Sequence, residues 1–133
     1  MKSNILIIVT ILIFFFSCEK QNIESNTLLI GKWQWQSSCG GIAGICYTPQ
    51  SSGENQMIEF TSDSTYRKFV NGKLLQESKF HIAKNKSIYS LEATDIISYE
   101  NSFPQSFNFI GSDKLILNDE VYDGFQDTFT RIK

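Results

Sequence analysis

The chain has 133 residues, 12 Lys and Arg against 14 Asp and Glu, a formal charge of −2 and 41% hydrophobic residues. That length supports one domain around one core. The slightly acidic balance and the lack of any basic patch argue against nucleic acid as a partner.

The first element is a leader. Lys2 is a short positive start, and Ile5 to Phe16 (ILIIVTILIFFF) is a 12-residue apolar run broken only by Thr10. Such a run fits a secretory signal and falls short of the roughly 20 residues a membrane-spanning helix needs. It ends in FFSC, and Ser17-Cys18 resembles the lipobox of bacterial lipoproteins, with a small residue before the cut and a thiol after it. The resemblance implies a leader over 1–17, a diacylglyceryl group on the Cys18 thiol and acylation of the freed amine. Several acyl chains on one residue would tether the protein to a membrane without spanning it. The expected location is the bacterial cell envelope, at the outer membrane, with the face left open. An ordinary signal peptide or an N-terminal anchor helix is the alternative.

Cleavage before Cys18 would leave 116 residues and, with Lys2 gone, 11 basic and 14 acidic side chains. Cys39 and Cys46 then remain, and in an oxidising compartment they are expected to pair. Free thiols or a metal site are the competing readings.

Residues 18–27, with Glu19 to Thr27 polar and aperiodic, read as a tether, leaving 28–133 as the domain. Beyond it the signals are those of strands. Leu28–Gln36 puts Trp33 and Trp35 on one face; Met57–Thr61 alternates; Thr65–Val70 leads into Asn71-Gly72, a strong hairpin signal because both residues tolerate positive φ. Lys73–Ala83 returns as a long, bulged strand, and Lys84–Lys86 turns into a strand at Ser87–Leu91. Glu92–Asp95 turns into Ile96–Glu100. Strands at Ser106–Ile110, Leu115–Asn118 and Gln126–Ile132 close the chain. Eight or nine short strands joined by hairpin turns form an antiparallel meander. Closing it into an up-and-down β-barrel of about eight strands removes its edges, with an open sandwich as the alternative. An eight-stranded barrel has room for side chains or one small ligand.

Gly31-Lys32-Trp33, with Arg131 in the last strand, resembles the G-x-W opening and late arginine of lipocalins. A closer likeness is to short lipocalin-like lipoproteins of Bacteroidetes-type bacteria. It is carried by Gly31-Lys32-Trp33-Gln34-Trp35, Gly40-Gly41-Ile42-Ala43-Gly44, Tyr47-Thr48-Pro49 and Ser51-Ser52-Gly53. The resemblance implies a barrel latch made by Gly31, Trp33 and Arg131, in which the guanidinium covers the indole. It also implies that the segment from Ser37 to Asn55 folds over the barrel mouth, capped by Ile42 and Ile45 and held by a Cys39–Cys46 bridge. The chain is shorter than ordinary lipocalins and has no sequence for their C-terminal helix.

Catalysis finds little support, and the chain reads as a non-enzyme. His81 sits in an alternating strand without a recognisable nucleophile. Asn118, Asp119, Glu120 and Asp123 lack calcium-loop spacing, and Lys79, Lys84 and Lys86 read as a solvated stripe. No cofactor or metal is expected. The expected function is a binding module whose lumen, lined by some of Trp35, Phe60, Phe69, Phe80, Phe107, Phe109 and Phe129, takes a small hydrophobic molecule. The alternative is a packed barrel that engages an envelope protein.

Overall fold

The structure is a computed structural model and describes residues 25–133; the leader, Cys18 and residues 19–24 of the expected tether lie outside it. Nine strands follow in chain order: β1 (Gly31–Gly40), β2 (Ile45–Tyr47), β3 (Gln56–Phe60), β4 (Thr65–Val70), β5 (Lys73–Lys86), β6 (Ala93–Tyr99), β7 (Ser102–Ile110), β8 (Lys114–Asp119) and β9 (Phe125–Arg131). One short helix, α1 (Pro49–Ser52), separates β2 from β3. Every pairing is antiparallel between neighbours, and β1 also pairs with β9, from Trp33↔Arg131 to Gly40↔Phe125. Eight strands, β1 and β3 to β9, thus close into the all-β barrel expected from the sequence. The ninth, β2, folds back on the far half of β1.

Local chemistry explains the tightest turn and the bend of the longest strand. Asn71 and Gly72 both take positive φ, 51° and 77°, as the tight β4–β5 hairpin requires. β5 carries a bulge where the register passes from Lys68↔Gln76 to Phe69↔Leu74, and a bulge bends a strand that must wrap a barrel.

Three segments depart from expectation. Residues 25–29, read as the end of a tether and the start of a strand, are helical, and they set Leu29 into the core. Ser87–Leu91 is a connection rather than a strand, with β5 running on to Lys86 and β6 starting already at Ala93. The reason is a competing partner: Glu120 takes the Ser87 hydroxyl (2.7 Å) and the Ile88 N–H (2.8 Å), and the Tyr89 hydroxyl donates to the Val121 carbonyl (2.8 Å). Burial pushes the Glu120 carboxyl up, but bonds from Ser106, Ile88 and Ser87 outweigh it and hold it below the ordinary value.

The third departure is the segment after Trp35. Instead of one long loop, β1 and β2 form a hairpin with Cys39 opposite Cys46, joined by a disulfide. Thr48 then caps α1 in a reciprocal box with Ser51, and Gly53 ends it in the left-handed region. Gly40 is needed here because a Cβ would stand 2.3 Å from the Gly124 carbonyl oxygen. Among the described residues no helix is long and apolar enough to cross a membrane.

Candidate functional site

Strand direction sorts the barrel into two ends. The closed end gathers residues 25–29, the start of β1, the β3–β4 and β7–β8 turns and the end of β9. Trp33 is fully buried there, its Nε1 donating to the Leu29 carbonyl (2.9 Å). Arg131 lies opposite it in register, with its guanidinium carbon 4.0 Å from the indole centroid. Its nitrogens donate to the carbonyls of Ser112 (3.0 Å), Ile30 (3.1 Å) and Leu28. Gly31 makes the room: a Cβ would sit 2.8 Å from an Arg131 nitrogen, and φ is +136°. The three residues read as a latch thus meet.

Above them Trp35, Phe60, Phe80, Phe107 and Phe129 are buried in one cluster, with Phe109 packed against it. Phe60 meets Phe80 edge-on at 5.1 Å, Phe107 meets Phe109 edge-on at 5.7 Å, and Trp33 lies 5.9 Å from Phe109. These aromatics fill the closed half.

The open half is different. A cavity of about 390 Å³ remains there, floored by Ile58, Leu117 and Phe129 and rimmed by Tyr47, Phe103 and Phe125. Its walls carry Ser38, Gln56, Tyr66, Lys68, Gln76, Tyr99, Gln105, Asp119 and Asp127. The wall of β6 to β9 is knit together. The Tyr99 hydroxyl donates to Gln105 (2.9 Å), Gln105 Nε2 to Asp119 Oδ1 (2.8 Å), and the Phe125 N–H to Asp119 Oδ2 (3.0 Å). Trp35 Nε1 donates to Ser38 Oγ (2.8 Å), which donates in turn to Asp127 Oδ1.

Electrostatics follow burial. Burial, with the neighbouring Asp119 charge adding, raises the Asp127 carboxyl above its ordinary value, while the Ser38 bond and Lys68 oppose the rise. Burial first, and then nearby negative charge, pushes the phenols of Tyr66 and Tyr99 up, so both stay neutral hydroxyls. Their rings pack at 4.8 Å.

Several residues assigned to the lumen or lid lie elsewhere. Ile42 and Ile45 do not cap the mouth; they are 92% and 48% exposed, because the disulfide-clamped hairpin turns their tip into solvent. From β2 of that hairpin it is Tyr47 that reaches the cavity, its ring tilted against that of Phe125 at 6.3 Å. Phe69 faces outward, one step from the inward Lys68 and opposite Met57 and Leu74 in register. His81 lines a separate cleft at the closed end with Ile30, Thr61 and Ile82. Asp119 and Glu120 point to opposite faces and bind different partners, and among the described residues no His, Cys, Asp and Glu cluster could hold a metal ion.

The polar lining went unread in the sequence although it has a pattern. Gln56-x-Ile58-x-Phe60, Gln76-x-Ser78-x-Phe80, Gln105-x-Phe107-x-Phe109, Leu115-x-Leu117-x-Asp119 and Asp127-x-Phe129 are inward rows that turn polar at one end. Because alternate strands run in opposite directions, all these polar ends meet at the same mouth.

No family model, curated protein or solved structure matches the chain.

Proposed function

We propose that this protein is a lipid-anchored envelope protein, tethered through Cys18, whose barrel carries a small molecule in its open half. The observation that carries this reading is the contrast inside one lumen. One half is filled by aromatic side chains, and the other keeps about 390 Å³ lined with hydrogen-bonding groups. That volume lies at the lower end of the range for small-molecule pockets. The lining favours a polar ligand over the hydrophobic one that the phenylalanine count suggests, since an apolar guest would strip water from these groups and return no hydrogen bonds. Residues Tyr47, Phe103 and Phe125 at the rim supply an apolar shield against solvent. The lipocalin-like resemblance agrees with this use of a barrel but does not choose the ligand.

A second reading, a barrel that engages another envelope protein, draws on one observation. Ile88, Tyr89, Leu91 and Tyr122 line a single shallow cleft on the outer wall, with Leu91 95% and Tyr122 89% exposed. Exposed apolar groupings of this kind are found at contact surfaces.

Native mass spectrometry of the full chain, released from detergent micelles, tests the first reading against the second. An adduct that survives release and disappears in Gln76→Trp, which fills the open half, is the expected result. Bare protein in both cases, with the fold intact, would leave the contact reading.

A further inference from the structure

The carrier reading leaves open what the cavity holds, and the two walls of the mouth give opposite answers that combine into one. On the β4–β5 wall, Tyr66 stands opposite Ser78 and Lys68 opposite Gln76, two cross-strand pairs in successive inward positions. Tyr66, Lys68 and Gln76 line the cavity. Ser78, on the same face between Gln76 and Phe80, is 6% exposed, and its Oγ is buried without a hydrogen-bond partner. Lys68 forms no ion pair among the described residues. Its outward neighbour Arg67, by contrast, is held by Glu59 at 3.3 Å and Glu77 at 2.6 Å. A cation and two neutral donors, Tyr66 and Gln76, thus line the cavity with no side-chain hydrogen bond or ion pair among the described residues, and the unpartnered Ser78 hydroxyl lies buried beside them.

Across the lumen the charge is reversed. Both oxygens of Asp119 are engaged, Oδ1 by Gln105 and Oδ2 by the Phe125 N–H. In Asp127 only one is: Ser38 occupies Oδ1, and Oδ2 has no hydrogen-bond partner among the described residues. Lys68 on β4 and Asp127 on β9 line the same cavity without forming an ion pair among the described residues, so a positive and a negative pole share one lumen. Buried polar groups left unpaired are costly, and in native proteins each such group asks for an explanation. A plain anion would satisfy Lys68 but meet the charges of Asp119 and Asp127. A plain amine would satisfy Asp127 and leave Lys68 alone.

Resting on the carrier reading, we infer that the cavity binds a small zwitterion, its anionic end on Lys68, Gln76 and Tyr66 and its cationic end on Asp127. Such a ligand completes both poles and adds no net charge to the lumen.

The test is calorimetric titration of the full chain in detergent with a ladder of ω-amino carboxylates from aminobutanoate to aminooctanoate. The unbranched carboxylate and amine of matching length are run beside each one. One chain length is expected to bind best, and its single-charged counterparts at least tenfold more weakly. Lys68→Met and Asp127→Asn are each expected to weaken it about tenfold or more, and the swapped pair Lys68→Asp with Asp127→Lys to recover part of the loss. Unfolding midpoints verify that each variant is folded. Carboxylates binding as tightly as the zwitterions, with no response to Asp127→Asn, would overturn the zwitterion and leave a carrier of anions. An adduct in the mass spectrum that no member of the ladder displaces would also overturn it while sparing the carrier. Neither binding nor adduct removes both.

Discussion

Toward the closed end, the inward rows of the barrel carry Trp33, Phe60, Phe80, Phe109 and Leu115; toward the open end, the same strands carry Ser38, Gln56, Gln76, Gln105 and Asp119. Both halves share one hydrogen-bonded ladder, so the backbone does not distinguish them. The side chains do. The closed half buries aromatic area and satisfies its polar atoms internally, as Arg131 does with three carbonyls. The open half holds the Lys68 ammonium, which has no ion pair among the described residues, and the buried Ser78 hydroxyl beside it has no hydrogen-bond partner. A protein optimised only for stability would fill that half as it filled the other, and proteins commonly give up stability where a binding site needs such groups. The division of labour we propose, stability below and recognition above, can be broken by substitution.

The largest effect should come from the closed half. Trp33→Ala removes a fully buried indole together with the surface on which Arg131 rests, and is expected to cost about 3–5 kcal/mol in guanidinium unfolding. A loss below about 1 kcal/mol would mean that the latch is dispensable and the contrast between halves is wrong. Next comes the rim. Cys39→Ser with Cys46→Ser opens an eight-residue loop, for which loop entropy gives about 2.5 kcal/mol. The same variant should also weaken ligand retention, since β2 brings Tyr47 to the mouth. A stability loss without any change in retention would confine the hairpin to a structural role. Arg131→Met, which keeps much of the side-chain bulk but drops the bonds to Leu28, Ile30 and Ser112, is expected to cost about 2 kcal/mol by thermal unfolding.

How much of this contrast can be read from the sequence differs between the halves. The closed half was legible because its signals are local: Gly31-x-Trp33 and alternating phenylalanines each mean the same thing wherever they occur, as does the Asn71-Gly72 hairpin at the other end of the barrel. Arg131 needed only the assumption that the last strand returns beside the first. The open half was not legible from single strands. Gln76 or Asp127 alone looks like any polar strand residue; alternation puts each in phase with Phe80 or Phe129, but only barrel closure brings the polar ends of different strands to one mouth. The same holds for Ser87–Leu91, whose β-rich composition says strand, while a carboxylate 32 residues away claims its backbone. Ile42 and Ile45 failed as caps for a related reason. Apolar character does not tell which way a two-stranded hairpin points, and here the disulfide and the close approach of Gly40 to Gly124 settle its direction.

The smallest expected effect has the opposite sign from the others, which makes it the sharpest test of the comparison. Burial, with Asp119 adding to it, holds the Asp127 carboxyl above its unfolded value near 3.8 in spite of Ser38 and Lys68. Below that value the group is protonated in both folded and unfolded chains and makes no difference to stability. As pH rises from there through the raised folded value, the unfolded chain releases its proton first, and the folded state loses stability until both are ionised. Asp127→Asn preserves an acceptor for the Ser38 hydroxyl and has nothing to ionise. It should therefore match the parent in acid and exceed it in stability at neutral pH. At the same pH it should lose the zwitterion. A residue whose removal makes the barrel more stable and less able to bind is retained for recognition. If Asp127→Asn were less stable than the parent at neutral pH, the carboxylate would instead belong to the structural network of the β8–β9 wall, and the open half would be built on the same terms as the closed one.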